Sequence, residues 1–347
     1  AMWELGRLAN DSEAVSAACA LGPDGVLDAL RADGGDAAST FLAEFEQFLV
    51  DHGARGQNEY DPISPSWEVS PRIALAAIDL MRRSDEAQAP SRRHDVAVAE
   101  RDRVAAEILS KIAKDAETAG MFEAAMGSAQ VFLAGRERAK TNVVVIINEI
   151  RVAVREYGRR LVERGLIDQI EQIFMVTNEE LNRVRHQPET MRDTLAERWL
   201  QFQALHDSFP VFIVNGEVPA LTDMTKRGTS TAQKAAPGTV LTGAAGSGGS
   251  ATGRARVILD AANPEELEPG DVLIAPQTDP SWVPLFVPAA AVVVNVGAMG
   301  SHAMIVSREL GVPCVASVAD ATDIIPNGAM VTVDGNAGTV TIDALPV

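Results

Sequence analysis

The chain carries only two cysteines in 347 residues, Cys19 and Cys314, far apart and without a CxxC pair. That leaves no disulfide framework and no cysteine-built zinc site, and it fits a reducing compartment, so a cytoplasmic protein is expected. Aromatic residues are scarce, at 5%; with the methionines on the helices they suggest at most a modest apolar pocket, and such residues more often simply build core. Basic residues are outnumbered, 30 Lys and Arg against 48 Asp and Glu, for a formal charge of −18 and a pI near 4.7. This argues against nucleic acid or an anionic membrane surface as a partner, and the acidity is read as a solubility device. No run of about 18 uncharged apolar residues occurs, so no membrane span is expected. The start, Ala1-Met2-Trp3-Glu4-Leu5, has neither a basic region nor a long apolar run, so no signal peptide is expected. Ala1 ahead of Met2 reads as a remnant of an expression tag.

What is present is a chain with 46% apolar residues, enough for well-formed cores in two domains, or three. Residues 3–225 read as mostly helix. Phe41, Leu42, Phe45, Phe48 and Leu49 recur at helical spacing. Residues 96–127 predict one long helix with a kink at Gly120, Asn142 to Leu166 a second, and Met191 to Leu205 a third. Val211 to Val214 is a short strand signal. Two polar stretches, 52–67 and Gly135 to Lys140, are taken as loops between helices. Residues 225–238 are small and polar, the composition of a flexible linker.

Beyond the linker the pattern alternates. Strands are expected at 257–259, 272–275, 291–294, 314–316, 331–333 and 340–342. Gly243, Gly246, Gly248 and Gly249 lack the Gly-Lys-Ser/Thr ending of a phosphate-binding loop and are read as a flexible entry to the domain. Between the third and fourth strands lies Gly297-Ala298-Met299-Gly300-Ser301-His302, then nine residues of helical character closed by Gly311 and Pro313. Ser301 suits an N-cap and Gly311 the C′ position. His302 then stands in the first helical turn, where unpaired N–H groups and the positive end of the helix dipole gather. That setting disfavours imidazolium and suits a phosphate dianion. A neutral imidazole beside an anion hole fits a nucleophile that accepts a phosphoryl group.

Residues 239–345 resemble the swivelling phosphohistidine domain of the phosphoenolpyruvate-utilising enzymes. The resemblance rests on Ala251 to Val257, Leu267 to Leu273, Thr278-Asp279-Pro280-Ser281-Trp282 with Pro284-Leu285-Phe286, the His302 stretch, and Val331 to Gly335. It implies that His302 carries the phosphate, supported by Thr278, Gly300, Ser301 and Arg308. The helical part resembles the central domain of the rifampicin phosphotransferases and phosphoenolpyruvate synthases. There Gly-x-Arg-Gly-x-x-Glu and Arg-Glu-x-x-Lys patterns fall on Arg55 and Glu59, and on Arg136, Glu137 and Lys140, with Trp67 further on. The resemblance implies that Arg55, Glu59, Arg136 and Lys140 line an acceptor site.

The fold class expected is therefore α+β and multidomain: a helical acceptor-binding domain at 1–224, a linker at 225–238, and a small β/β/α swivelling phosphohistidine domain at 239–347. The function expected is that of a phosphotransferase component, subunit or fragment, carrying phosphate from an ATP-grasp partner to the hydroxyl of a small, aromatic or phenolic acceptor. ATP and Mg²⁺ would belong to that partner module, with no metal or cofactor bound by this chain alone. The layout is similar to that of rifampicin phosphotransferases and of phenyl- and cresol-phosphate synthases. A fragment of a phosphoenolpyruvate synthase-like enzyme and a non-enzymatic phosphocarrier are the alternatives.

Overall fold

The computed structural model describes all residues except 209–213, 225, 227–231, 262, 263, 265, 266 and 347. The strand signal at Val211 to Val214 therefore falls, but for Val214, outside the described residues, as does much of the linker. The N-terminal part is helical as its periodicity requires: α1 Met2–Asn10, α2 Glu13–Cys19, α3 Val26–Asp33, α4 Asp36–His52, α5 Pro71–Arg82, α6 Pro90–Ile112 and α7 Ala116–Glu163. Phe41, Phe45 and Phe48, one turn apart on α4, stack into a common core with Trp3, Leu30 and Ile78. Further on come α8 Leu181–His186 and α9 Arg192–His206.

Three expectations for the helices are corrected. The break falls at 113–115 rather than as a kink at Gly120, because Asp115 begins a new helix. Its carboxylate accepts from Thr118 N–H at 3.1 Å and from the Thr118 hydroxyl at 2.7 Å, a side-chain N-cap. The segment from Asn142 is no separate helix but the continuation of α7, which is 48 residues long. Gly135 to Lys140 is no loop but lies inside α7. Arg, Glu, Ala and Lys are strong helix formers, and one interior glycine costs only about 1 kcal/mol. The charges mark a solvated helix face.

The C-terminal part builds one eight-stranded mixed sheet from β1 Val240–Thr242, β2 Ala244–Ser247, β3 Ser250–Val257, β4 Val272–Ala275, β5 Ala291–Val294, β6 Cys314–Ala316, β7 Met330–Asp334 and β8 Thr339–Ala344. The order is β1-β8-β7-β3-β4-β5-β6-β2. Strands β3, β4, β5 and β6 are mutually parallel, and the flanking pairs are antiparallel. All four residues of β4 and of β5 are buried, as expected for strands covered on both faces. Three helices join them: α10 Val283–Phe286, α11 His302–Leu310 and α12 Ala321–Ile324.

The glycine-rich entry is a further correction, since β1 and β2 pair with β8 and β6 respectively. A Cβ on Gly243 would sit 2.4 Å from the Ala316 carbonyl, and one on Gly335 only 1.8 Å from the Ser247 carbonyl. These glycines permit close backbone packing rather than flexibility. The end of the linker is also fastened: Ala235 N–H donates to Ile324 O at 2.9 Å and Gly238 N–H to Ile342 O at 2.7 Å.

The chain divides into two compact units. One comprises residues 1–59, 64–145 and 234–347, the other 60–63 and 146–233. In the first, the sheet segment packs on the helices: Val287 joins the α4–α5 core, Leu80 of α5 joins the core beneath α11, and Gln88 donates to Pro288 O at 3.1 Å. The second has its own core of Leu161, Ile167, Ile173, Val184, Met191 and Leu195.

Candidate functional site

Parallel neighbours in a sheet send their chains out of the same edge, and crevices beyond the carboxyl ends of such strands are where ligands bind in open α/β sheets. Here β4 ends at Ala275 and leads to Thr278 and Asp279; β5 ends at Val294 and leads to Ser301 and His302. The two loops meet. Thr278 Oγ1 lies 3.0 Å from His302 Nδ1, and Phe286 meets the ring edge to face at 5.9 Å between centroids. Thr278 is buried. Nε2 has no hydrogen-bond partner among the described residues.

His302 is the first residue of α11, with Ser301 at the N-cap and Gly311 closing the helix at φ 64°. Ser301 takes the N-cap backbone conformation but makes no side-chain cap, and its buried hydroxyl has no partner among the described residues. The imidazole is largely withdrawn from water, and this pushes its pKa down to about 4. The positive charges of Lys140 and Arg55 press in the same direction, while the Asp279 and Glu137 carboxylates oppose it. At neutral pH the ring is uncharged.

The loop after α4 faces this histidine. Glu59 is buried and paired with Arg55. Burial raises the Glu59 pKa and outweighs the opposing charges of Arg55 and Lys140. Trp67 stacks on Phe48 at 5.7 Å and donates its backbone N–H to Arg55 O at 2.8 Å, so it shapes the loop. Lys140 lies on α7, and its charge acts on both Glu59 and His302.

The structure thus brings Thr278 to His302 and Arg55 to Glu59, with the Arg55 and Lys140 charges acting on the ring. Arg136 pairs its guanidinium with the neighbouring Glu137 at 2.5 Å on the exposed helix surface. Arg308 faces the backbone behind the histidine, donating to Gly246 O at 2.8 Å and Met299 O at 3.0 Å. It braces the loop that delivers the ring. Space is open around Gly300, where an added Cβ would meet nothing within 4 Å.

Two charged neighbours stand within the quoted motifs but were not singled out as site residues. Glu137 falls on the Arg-Glu-x-x-Lys pattern, but reading its helix as a loop hid its i, i+3 spacing to Lys140. Asp279 stands directly before Pro280, an N-cap signal followed by proline at the first helical position. Its Oδ1 accepts from Ser281 N–H at 2.8 Å and from the Ser281 hydroxyl at 2.6 Å.

Comparison with known proteins identifies what the chain is similar to. Residues 1–137 match the rifampicin phosphotransferase fourth domain, and residues 267–338 match the PEP-utilising enzyme mobile domain. A rifampicin phosphotransferase of Streptomyces sviceus is 30% identical over 304 residues, covering 86% of this chain and 34% of that protein. One from Bacillus cereus is 26% identical over 304 residues, with the same coverage of 86% and 34%. The prodigiosin synthesizing transferase PigC of Serratia marcescens is 29% identical over 310 residues, covering 86% of this chain and 33% of that protein. The chain spans about a third of the length of these relatives.

Proposed function

We propose that this chain, whose histidine-bearing segment is the mobile domain of a PEP-utilising enzyme, is the phosphocarrier and acceptor part of a phosphotransferase. The observation that carries the reading is the pairing of a neutral His302 with Thr278 at Nδ1. When Thr278 accepts from Nδ1–H, the lone pair resides on Nε2, the nitrogen without a partner. As in a dikinase-type enzyme, Nε2 attacks a phosphoryl group of ATP held in an ATP-grasp module outside this chain. The N–P bond forms as the P–O bond to the nucleotide breaks. Mg²⁺ accompanies ATP there, and the reading gives no residue of this chain a metal-binding role.

The second half-reaction takes place where His302 faces Lys140, Arg55 and Glu59. The hydroxyl oxygen of a small acceptor attacks phosphorus, its proton passes to Glu59, and the N–P bond breaks. With Nδ1 protonated, the leaving group is neutral imidazole. Glu59 suits the base role because burial raises its pKa toward the working range. Lys140 and Arg55 offset the negative charge of the moving phosphoryl group. The acceptor domain at 1–224, the linker at 225–238 and the swivelling domain at 239–347 form the mechanical part of the same proposal.

The test is phosphorylation of the purified chain. With phosphoramidate as a small phosphoryl donor, the protein should acquire acid-labile, base-stable phosphate. His302→Asn should acquire none while keeping the circular dichroism of the parent. Label persisting in that variant overturns the assignment. A search for a co-purifying ATP-grasp protein, followed by a screen of phenolic and aliphatic hydroxyl compounds, then identifies donor and acceptor.

A further inference from the structure

We infer that Asp279 is a positioning residue that couples engagement of the Arg55–Glu59 loop to the setting of His302. The inference rests on the phosphotransfer reading above and adds a residue to it. Asp279 divides its two carboxylate oxygens between two tasks. Oδ1 caps the turn at Pro280–Trp282 through Ser281 N–H at 2.8 Å and Ser281 Oγ at 2.6 Å. That fixes the backbone immediately after Thr278, the residue that meets His302 Nδ1 at 3.0 Å. Oδ2 receives the backbone N–H of Asn58 at 3.4 Å.

The partner is a specific one. Asn58 holds φ at +49°, one of three non-glycine residues with positive φ among the described residues. Asparagine tolerates this left-handed conformation better than most residues, and such positions cluster at functional sites. Asn58 also stands directly before Glu59. A single side chain therefore links the loop that orients the nucleophile with the loop that carries the proposed base. The two holds differ in strength: the Ser281 bonds are short, whereas 3.4 Å is long for an N–H···O bond. The Ser281 cap is the firm hold and the Asn58 contact the weaker one. The Asp279 charge also reaches both Glu59 and His302, favouring the protonated state of each.

Asp279→Asn separates the two tasks. The amide keeps one carbonyl oxygen, which serves as N-cap to Ser281, while its NH₂ group presents a donor to the Asn58 donor. In the full chain, amide exchange at Asn58 should then rise about tenfold, as for loss of a charge-assisted hydrogen bond. Exchange at Ser281 should stay unchanged. The ¹⁵N signals of His302 should move from a single Nδ1–H tautomer toward a mixture. Unchanged Asn58 exchange overturns the contact, and altered Asn58 exchange with unchanged His302 signals overturns the coupling. Asp279→Ala, which removes the cap as well, should speed exchange at both amides; protection kept at Ser281 there overturns the cap. Phosphoramidate labelling of His302 in the wild-type chain reports on the phosphotransfer reading separately: its absence overturns that reading, whereas exchange and nitrogen shifts decide the coupling.

Discussion

Replacing Thr278 by valine removes one hydroxyl at nearly constant volume and tests how His302 is set. The hydroxyl lies 3.0 Å from Nδ1 in a buried position, so water is poorly placed to replace it. A buried N–H left without a partner costs about 1–3 kcal/mol. The cost falls on the tautomer with hydrogen at Nδ1, the one that leaves the lone pair on Nε2. At about 1.4 kcal/mol per factor of ten, phosphoryl acceptance should slow roughly five- to 150-fold. The assay is incubation with phosphoramidate followed by ³¹P NMR, which reports both rate and the nitrogen that carries phosphate. The wild-type chain should give only the Nε2 isomer. Thr278→Val should react slowly and give a mixture of isomers, and Thr278→Ser should restore both rate and selectivity. Equal rates and the same single isomer in Thr278→Val would show that Thr278 does not set the ring, and the argument from the 3.0 Å contact would fail.

The low pKa of His302 has two consequences in pH. Acceptance of phosphate needs the neutral ring, so its rate should stay level from pH 7.5 to 5.5 once donor reactivity is corrected, rather than halving near 6.5; imidazole NMR titration checks this directly. For stability, the folded pKa near 4 lies below the unfolded value of about 6.5, so the unfolded chain binds the proton first. Stability from this group is complete above pH 6.5 and falls between 6.5 and 4, and His302→Asn should flatten that part of the profile. Lys140→Ala should slow transfer from phosphohistidine to acceptor by roughly ten- to a thousandfold while leaving labelling by phosphoramidate unchanged. Gly335→Ala should cost more than about 4 kcal/mol in urea melts, since its Cβ would stand 1.8 Å from the Ser247 carbonyl.

Much of the sheet was legible because β4 and β5 are short unbroken apolar runs between turn signals, and buried parallel strands require that pattern. The His302 helix was legible from its ends: Ser301 and Gly311 occupy the N-cap and left-handed C-cap positions that their residue types suggest. The Ser301 hydroxyl shows the limit of that logic. Residue type announced a cap, yet the side chain makes none, because a cap residue's rotamer depends on its surroundings. The long helix was misread for a different reason. Arg136 to Lys140 is polar on every side, and polarity was taken for a loop, although an exposed helix face is polar too. The glycines at 243–249 were misread because glycine permits close contact as well as flexibility, and only neighbours from distant strands decide which.

Under the proposed phosphotransfer, the charges around His302 would let one site serve both a neutral nucleophile and a charged intermediate. Before phosphorylation, burial and the Lys140 and Arg55 charges keep the proton off the second nitrogen. Phosphorylation brings about two negative charges to Nε2. The same cations, unfavourable to imidazolium, then become counter-charges to the phosphoryl oxygens. The ring that keeps its Nδ1 proton is now cationic, and the Asp279 and Glu137 carboxylates, which oppose the pKa shift in the free histidine, stabilise that proton. Retaining it matters for the second step, because departure as neutral imidazole avoids a high-energy anion. On the proposed reading, mixed charge around the ring suits both steps. A site with cations alone would hold phosphate and release it poorly, and one with carboxylates alone would protonate the nucleophile before the phosphoryl group arrived.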